Sequence, residues 1–371
     1  MTSKLQFGLL GQTAQQLTAI LEGLGQPAYR ARQLFDALYR QRLTELDHIS
    51  TLPKSLRSEL IAKGYHAGLP SVSQRFLAAD DTVRYLVGFG DGTSVECVWM
   101  PGGDGGEDDD SAEDRSAEAP SRRGTICLSS QAGCAVNCKF CMTALLGLQR
   151  NLTPGEIVGQ VLLLLNDNKI EIGRDRINLV FMGQGEPFLN YENFMAAIRL
   201  LVEGAGIAES RMTVSTAGIV PRIADFGREP VRPRLAISLN AANGELRERI
   251  MPITRKWNLS ALMEAARSFP LRPRERLTFE YVLLSGVNDS AENARELVVL
   301  LRGLRAKVNL IALNPGPEIP FERPTPEAVE RFQQTLIAAG IPAYLRRPRG
   351  LDIFAACGQL KRTTELVQPK P

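Results

Sequence analysis

The spacing of apolar residues changes twice along the chain. In residues 1–75 they recur every three or four positions, which predicts amphipathic helices separated by glycine and proline. Residues 82–99 alternate apolar and polar positions on both sides of Gly90-Asp91-Gly92, which predicts a β-hairpin. From residue 125 onward, short apolar stretches alternate with helical patterns. The predicted strands there cover 125–130, 177–183, 211–216, 234–240, 276–284, 307–313 and 342–347, and the predicted helices cover 154–166, 191–204, 243–250, 259–268, 290–303 and 325–339.

This alternation of strands and helices predicts a parallel sheet covered by helices. We therefore expect an α/β fold: a partial (β/α)6 barrel with an N-terminal helical accessory domain and a short β extension. In such barrels the chemistry lies at the carboxyl ends of the strands. Unusual residues follow the predicted strands: a cysteine triplet after the first, Gly-Gln-Gly-Glu-Pro after the second, and Ser215, Asn240 and Asn314 after later ones.

The patterns divide the chain into five predicted segments. They are an N-terminal helical domain (1–75), a β-hairpin linker (76–101), an acidic insertion (102–124), the barrel (125–350) and a C-terminal segment (351–371). The acidic insertion holds eight acidic residues and three arginines without an apolar pattern, so we expect a disordered surface loop. The rest of the chain carries a net charge of +8, which suits a polyanionic partner and equally an ordinary solvated surface.

Composition narrows the possible classes of function. Hydrophobic residues make up 44% of the 371 residues, enough for a sizeable core. The start lacks a basic stretch followed by an apolar run, and no later stretch reaches about 18 apolar residues, so we expect a cytoplasmic protein without a membrane partner. The two histidines, His48 and His66, both precede residue 67. Their position disfavours histidine zinc sites, Ser-His hydrolases and Cys-His proteases in the barrel.

Three of the six cysteines lie within eight residues. Cys134, Cys138 and Cys141 have the spacing C-x3-C-x2-C, directly after the first barrel strand. Such a loop can bind three corners of a [4Fe–4S] cluster and leave the fourth iron free for a substrate or cofactor. The alternative is structural zinc, which needs a fourth ligand such as Cys127. The second, distant cysteine pair that is typical of zinc fingers is missing, which favours iron and sulfide.

The cysteine loop and several other segments resemble one family. The triplet with Phe140 before its last cysteine is the pattern of radical S-adenosylmethionine (SAM) enzymes. The strings TICLSSQAGCAVNCKFCMT, FMGQGEPFLN, TVSTAGIVP, AISLNA, YVLLSGVND and DIFAACGQL are similar to the RlmN/Cfr family of RNA adenosine methyltransferases, and GEPFLN is closer to its RlmN branch. The resemblance covers nearly all of residues 1–365, and the N-terminal helices resemble that family's RNA-binding domain.

This resemblance implies a methyltransferase with one [4Fe–4S] cluster and SAM. The implied reaction methylates C2 of an adenosine in 23S rRNA through a methyl-cysteine intermediate, with transfer RNA beside the anticodon as a further candidate substrate. It also implies an external, flavodoxin-like electron donor and a monomeric enzyme. Two alternatives stay open: a Cfr-like enzyme that methylates adenine C8, and a non-catalytic, zinc-stabilised RNA-binding protein. Measurement of the bound iron, sulfide and zinc would distinguish the zinc-stabilised RNA-binding protein from the two iron–sulfur enzymes.

The resemblance also implies roles for individual residues. Cys357 would carry the methyl group, and Cys127 would resolve the enzyme–RNA adduct through a transient disulfide with Cys357. Glu96 would accept the ring proton. The cluster ligands would be Cys134, Cys138 and Cys141. The SAM contacts would be Gly185, Glu186, Ser215, Ser238, Leu239, Asn240 and Asn314.

Two positions depart from the residues that this family usually carries. Gln184 stands where methionine is usual, and Asn240 stands where histidine is usual. Asn240 can still form hydrogen bonds, but it cannot titrate. Cys97 has no role that the resemblance assigns.

Overall fold

The computed structural model describes residues 7–102 and 122–361, so most of the predicted acidic insertion and the last ten residues lie outside the described chain. The helices are α1 (Ala14–Glu22), α2 (Tyr29–Tyr39), α3 (Lys54–Ala62), α4 (Pro154–Asp167), α5 (Tyr191–Glu203), α6 (Val220–Arg228), α7 (Gly244–Ile250), α8 (Leu259–Arg267), α9 (Ala291–Leu301) and α10 (Pro326–Ala338). The strands are β1 (Phe7–Gly8), β2 (Tyr65–His66), β3 (Ser71–Leu77), β4 (Val83–Gly88), β5 (Ser94–Pro101), β6 (Arg123–Cys127), β7 (Gln131–Gly133), β8 (Leu148–Asn151), β9 (Arg176–Phe181), β10 (Met212–Thr216), β11 (Arg234–Ser238), β12 (Leu277–Leu283), β13 (Ala306–Ala312) and β14 (Ala343–Leu345). Among the described residues, no helix has the length and apolar character to cross a membrane.

One ten-stranded sheet organises the molecule. Its order is β14-β13-β12-β11-β10-β9-β6-β5-β4-β3. The strands from β6 to β14 pair in parallel, whereas β5, β4 and β3 add an antiparallel extension at one side. The buried residues of the parallel strands are mostly valine, isoleucine, leucine and phenylalanine, as expected for a sheet with both faces covered. The predicted α/β fold with a mostly parallel sheet is confirmed.

The two edges of this sheet approach each other. Arg349, which follows β14, forms an ion pair with Asp80 between β3 and β4, with 3.1 Å from Nε to Oδ2. It also donates to the Pro101 carbonyl at 2.7 Å. Asp352 accepts a hydrogen bond from the Ala79 N–H at 2.9 Å. The chain after the last strand therefore binds the opposite side of the sheet, as a partial barrel requires.

The pattern of apolar residues misses several short elements, among them β3 and α6. β3 lies across the end of the segment predicted to be helical, and apart from Val72 and Phe76 its residues are exposed, so it shows little alternation. α6 begins at Val220-Pro221 and buries only Ile223 and Phe226. Short elements with few buried residues leave a weak periodic signal.

The acidic insertion leaves the sheet between two neighbouring strands. β5 and β6 pair antiparallel with Pro101 opposite Gly124. Next to this pair, the Gly102 N–H donates to the Arg123 carbonyl at 2.9 Å. The strand ladder therefore closes the base of the insertion and brings β5 against β6.

The N-terminal helices pack on the barrel at α4. Gly11 has φ +98°, and a Cβ there would lie 2.6 Å from the backbone nitrogen of Gly155. Only glycine allows this approach of the two backbones. The Tyr39 hydroxyl accepts from the Gly11 N–H at 2.9 Å and donates to the Gln12 carbonyl at 2.8 Å. The helical part and the barrel consequently share one apolar core.

Candidate active site

The cysteine loop is held on both sides. Gly133, at the end of β7, has φ +78°, and a Cβ there would lie 1.8 Å from the Gly147 carbonyl oxygen. The same oxygen accepts a hydrogen bond from the Cys134 N–H at 2.9 Å. On the other side, the Lys139 N–H donates to the Ile250 carbonyl at the end of α7, also at 2.9 Å. The close approach requires glycine at position 133, and together with the hydrogen bond it fixes the backbone position of Cys134.

The three loop thiols are partly buried and lie near one another. Burial raises the pKa of Cys134 to about 12 and also raises the pKa values of Cys138 and Cys141. Negative charge on a neighbouring thiol adds to the shift at Cys134 and Cys138. A cationic iron centre would favour the thiolates, because it replaces the thiol protons. Three soft thiolates fit an iron–sulfur cluster in donor chemistry.

A single ion and a cluster require different spacing of their ligands. A single zinc ion needs four ligands within about 2.3 Å of one point. Across residues 7–102 and 122–361, no three His, Cys, Asp or Glu side chains are grouped closely enough to hold a metal ion. A four-iron cluster spreads its cysteine ligands over separate corners of the cube.

The C-terminal segment places Cys357 beside the cysteine loop. The Met142 N–H donates to the Gly358 carbonyl at 2.7 Å, and the Thr143 hydroxyl donates to the Leu360 carbonyl at 2.7 Å. The Asn314 side chain donates to the Cys357 carbonyl at 3.1 Å. The backbone around Cys357 is therefore bound by the cysteine loop and by Asn314, which lies two residues after the end of β13.

Cys127 lies beside the C-terminal segment that carries Cys357. Cys127 ends β6 and packs with Val98 and with Ile353 of the C-terminal segment. Burial raises the pKa of Cys127 far above its ordinary value, and negative charge on Cys357 adds to the shift. Cys357 is exposed to solvent at the site, and the protein around it, with the charge of Glu280, raises the pKa of its thiol to about 11. Both residues are free thiols in this structure.

Cys97 lies near Cys127, whose negative charge adds to the rise in its pKa, but it is a residue of the core. It is fully buried and belongs to the main apolar core, whereas its neighbour Val98 packs with Cys127. Successive residues of a strand point to opposite faces of the sheet. Cys97 is therefore a core residue behind the site.

Gly185 and Glu186 form a tight turn after β9. Gly185 has φ +100°, and a Cβ there would lie 2.6 Å from the side chain of Gln131. The Glu186 carboxylate accepts from the Phe188 N–H at 2.9 Å and from the Ala217 N–H at 2.6 Å. Burial nevertheless raises its pKa to about 7. A nearby ammonium group, such as that of methionine, would favour its ionised form.

Ser215 and Ser238 meet near the ends of β10 and β11, and Ser215 binds a buried carboxylate. Their hydroxyl oxygens are 3.1 Å apart, and Ser215 donates to Glu280 at 3.0 Å. Glu280 is buried on β12, and burial raises its pKa. Sequence reasoning missed Glu280. Its signal is a single acidic residue inside an otherwise apolar, buried strand.

The other predicted SAM contacts differ in their free hydrogen-bonding capacity. The Asn240 side chain donates to the Met251 sulfur at 3.1 Å and accepts from the Val282 N–H at 2.8 Å, so both of its ends are engaged. Leu239 is fully buried. Asn314 keeps a buried side-chain oxygen without a hydrogen-bond partner among the described residues. An unsatisfied buried acceptor costs roughly 1–3 kcal/mol, so this oxygen fits a ligand that donates to it.

Glu96 is fully buried in an ion pair that the sequence did not reveal. Its carboxylate binds the guanidinium of Arg84, which is also fully buried. The other carboxylate oxygen lies 3.3 Å from the side-chain nitrogen of Gln184. Arg84 lies on β4 and the guanidinium covers the ring of Phe76 at 4.2 Å. Because Arg84 alternates with apolar residues on its strand, sequence reasoning had no reason to pair it with Glu96.

A second buried arginine supports the strand ends around the site. Arg247 donates to the carbonyls of Ala217 at 2.7 Å and Leu239 at 3.0 Å, and to the Thr254 hydroxyl at 2.7 Å. Burial lowers its pKa to about 10, and interaction with Cys138 opposes that shift. Arg247 thus joins β10 and β11 to α7 and adds positive charge near a cysteine of the triplet. Sequence reasoning missed this residue, which carries no motif signal of its own.

Comparisons with known proteins agree with this arrangement. The model of the radical SAM superfamily matches residues 128–298, and that of the ribosomal RNA large subunit methyltransferase N-terminal domain matches residues 7–64. A probable dual-specificity RNA methyltransferase RlmN from Koribacter versatilis is 66% identical over 348 residues, which are 94% of this chain and 99% of the relative. The dual-specificity RNA methyltransferase RlmN of Nitratiruptor sp. is 42% identical over 90% of this chain and 93% of the relative.

A solved structure is similar over almost the whole molecule. It is a radical SAM methyltransferase from Sphaerobacter thermophilus, with a TM-score of 0.87 and 43% sequence identity. The similarity covers 96% of this chain and 99% of that one. The radical SAM fold is therefore confirmed, and with it the family's [4Fe–4S] cluster and SAM as cofactors. The chain belongs to the RlmN family of radical SAM methyltransferases.

Proposed function

We propose that this radical SAM methyltransferase methylates C2 of an adenosine in 23S rRNA, with transfer RNA as a second substrate, and that the methyl group passes through Cys357. The position of Cys357 carries the proposal. Its backbone is bound by the cysteine loop and Asn314, and its thiol interacts with Cys127. The names of the RlmN relatives support RNA as the substrate.

The binding roles follow from the chemistry of the side chains. Cys134, Cys138 and Cys141 would hold the cluster, while Glu186 would accept the ammonium group of SAM and Asn314 would accept a further hydrogen bond. When bound, the cluster and SAM supply the one-electron chemistry that an electron-poor ring carbon requires. The protein's own task is to hold the reacting groups and exclude water.

Cys357 must lose its proton before its sulfur accepts a methyl group. The protein around the exposed Cys357 opposes this loss by raising the pKa of the thiol to about 11, whereas the charge of Arg346 favours the thiolate. A cationic sulfonium near the thiol would favour the thiolate further. Methylation would form the bond from the Cys357 sulfur to the methyl carbon as the bond from that carbon to the SAM sulfonium breaks, so that a thiolate and a sulfonium become two neutral thioethers.

Release of the product needs Glu96 and Cys127. Bonding of the thioether carbon to adenine C2 removes one hydrogen atom from the methyl group, one proton from the ring and one electron; Glu96 would take the ring proton, and the bound SAM and cluster would accept the hydrogen atom and the electron. The Cys127 thiolate then attacks the Cys357 sulfur, so that an S–S bond forms as the bond from sulfur to the methylene carbon breaks. The electron pair of the broken bond stays with the carbon, which takes up a proton to become the new methyl group. An external thiol then reduces the disulfide.

The surroundings of the enzyme follow from the same groups. We expect it to act in the reducing cytoplasm, because all six of its cysteines are free and several must stay reduced. We also expect it to act as a monomer. We expect the electron to come from an external, flavodoxin-like donor. The substrate adenine must be unpaired, since pairing and stacking would hide its C2 edge.

Mass spectrometry of nucleosides tests the proposal. The reconstituted enzyme, supplied with SAM and a reductant, should convert an adenosine of 23S rRNA to 2-methyladenosine, and an 8-methyl product would contradict C2 selectivity. Cys357→Ala should abolish methyl transfer, and Cys127→Ala should leave a covalent protein–RNA adduct. Cys97→Ala is the matched control, because Cys97 lies in the core behind the site, and it should still yield product. Normal turnover by Cys357→Ala would overturn the covalent route.

A further inference from the structure

Gln184 lies between the two carboxylates that the proposed reaction uses. It is fully buried, and its side-chain nitrogen donates to the Glu96 carboxylate at 3.3 Å. Glu186, two residues further on, is the carboxylate proposed to bind SAM. Because Glu96 is ionised against Arg84, the amide must turn its N–H group and not its oxygen toward that carboxylate.

The backbone of Gln184 is fixed to the same strands. Its N–H donates to the Ser129 hydroxyl at 2.9 Å, and that hydroxyl donates to the Glu96 carbonyl at 2.6 Å. Its carbonyl accepts from the N–H groups of Ser130 at 2.8 Å and Gln131 at 3.2 Å. The side chain of Gln131 in turn accepts from the Glu186 N–H at 2.8 Å. Gln184 is thus linked to Glu96 in two ways. Its side chain binds the Glu96 carboxylate directly, and its backbone is linked to the Glu96 carbonyl through the Ser129 hydroxyl.

We propose that Gln184 is a positioning residue for Glu96, which it holds as an oriented carboxylate and joins to the SAM-binding turn. This inference rests on the proposed role of Glu96 as proton acceptor. Arg84 binds one carboxylate oxygen and Gln184 binds the other, so the carboxylate cannot rotate without breaking a bond. A methionine at this position has no N–H group to donate.

The free end of the amide supports the same inference. The side-chain oxygen of Gln184 is buried and has no hydrogen-bond partner among the described residues. When Glu96 takes up a proton, rotation of the amide would present this oxygen to the new O–H group. Gln184 can therefore bind both protonation states of Glu96, whereas the bond to the charged state is the stronger of the two.

The direction of the expected pKa change follows from that difference. The Arg84 guanidinium on β4 binds one oxygen of the Glu96 carboxylate, and the Gln184 amide binds the other. Arg84 and the Gln184 N–H both favour the carboxylate. Removal of the Gln184 N–H should therefore raise the pKa of Glu96.

Infrared titration of the cofactor-free protein tests this coupling without the reaction. The carboxyl band of Glu96 is assigned by ¹³C-glutamate labelling and its loss in Glu96→Gln. Gln184→Met should raise the pKa of that band by about one pH unit, which is a tenfold change in protonation. Gln160→Met is the matched control, because Gln160 is also fully buried and binds Ser129, but through the Ser129 backbone only. An unchanged pKa in Gln184→Met, or an equal shift in Gln160→Met, would overturn the inference.

The reaction gives a second, separate readout. With Gln184→Met, the acid limb of the pH profile for product release should move upward by about one unit, and the protein–RNA adduct should persist longer below that limb. In Gln160→Met the acid limb of the pH profile should lie at the same pH as in the parent enzyme. If no variant forms product, the proposed function fails while the infrared titration still decides the role of Gln184. If product forms with an unmoved limb, the role of Gln184 fails alone.

Discussion

Replacement of Arg84 by methionine should destabilise the folded protein by about 3–5 kcal/mol. Arg84 and Glu96 are both fully buried, and the substitution leaves a buried carboxylate without its cation. Breaking a buried pair by removing one partner has this cost because the remaining charge stays desolvated. The substitution also removes the contact of the guanidinium with the ring of Phe76 at 4.2 Å.

The loss of folding stability in Arg84→Met should grow as pH rises. In Arg84→Met, burial without a counterion raises the folded-state pKa of Glu96 above its unfolded value of about 4.3. A neutral Glu96 is tolerated at low pH, so the penalty is small near that unfolded value. It grows as pH rises toward the folded pKa and is complete above it. We therefore expect a larger difference from the parent at pH 8 than at pH 5.

Chemical denaturation of the cofactor-free protein measures both effects, with Arg84→Met, Glu96→Gln and the double variant compared at each pH. The double variant should lose clearly less than the sum of the two single variants, because it removes both charges. Arg232→Met is the matched control: Arg232 forms another buried ion pair, with Glu275 at 2.8 Å, far from the predicted site residues. It should cost a similar free energy of unfolding and still allow methyl transfer. Additive losses, or an Arg84→Met penalty that is flat with pH, would refute the assignment of an ionised, coupled pair.

Three further outcomes follow from the structure. SAM should bind the reconstituted enzyme more weakly as pH falls through about 7, because protonation of Glu186 removes the acceptor of the ammonium group. Calorimetric titrations measure this binding, and Glu186→Gln should abolish its dependence on pH. Gly133→Ala should lower the iron bound per chain, because its Cβ would lie 1.8 Å from the Gly147 carbonyl oxygen, whereas Gly173→Ala, with a similar positive φ and open space around it, should bind iron as the parent does. Replacement of residues 103–121 by a two-residue Asn-Gly turn should leave the rate of RNA methylation unchanged, since the strand ladder already closes the base of the insertion.

The barrel could be predicted from the sequence because its signal is local. Each parallel strand is a short apolar stretch, and each helix between them has its own period, as in β12 and α9. Two of the elements that were missed, β3 and α6, bury few residues and therefore carry little of that signal. The roles implied for Cys127, Cys357 and Glu96 came from motif resemblance, and the experiments above are needed to test them.

The partners of the site residues could not be predicted, because they lie far away in the sequence. Gln184 is 88 residues from Glu96, and Ser215 is 65 residues from Glu280. No local pattern joins such positions, and a buried arginine or glutamate looks like a surface residue until its partner is known. Arg247 was missed for the second of these reasons: two of its acceptors, Leu239 and Thr254, lie within eight residues of it, but nothing in the sequence marks this arginine as buried.

The antiparallel extension is part of the site itself. β4 supplies Arg84 and β5 supplies Glu96, while Phe76 of β3 and Val98 of β5 pack against Ile353 of the segment that carries Cys357. A parallel barrel alone would offer the cysteine loop and the turn at Glu186, but it would leave Cys357 without this support. Because β4 and β5 supply Arg84 and Glu96, and the extension packs against the segment that carries Cys357, changes on β4 should affect the proposed chemistry as well as stability.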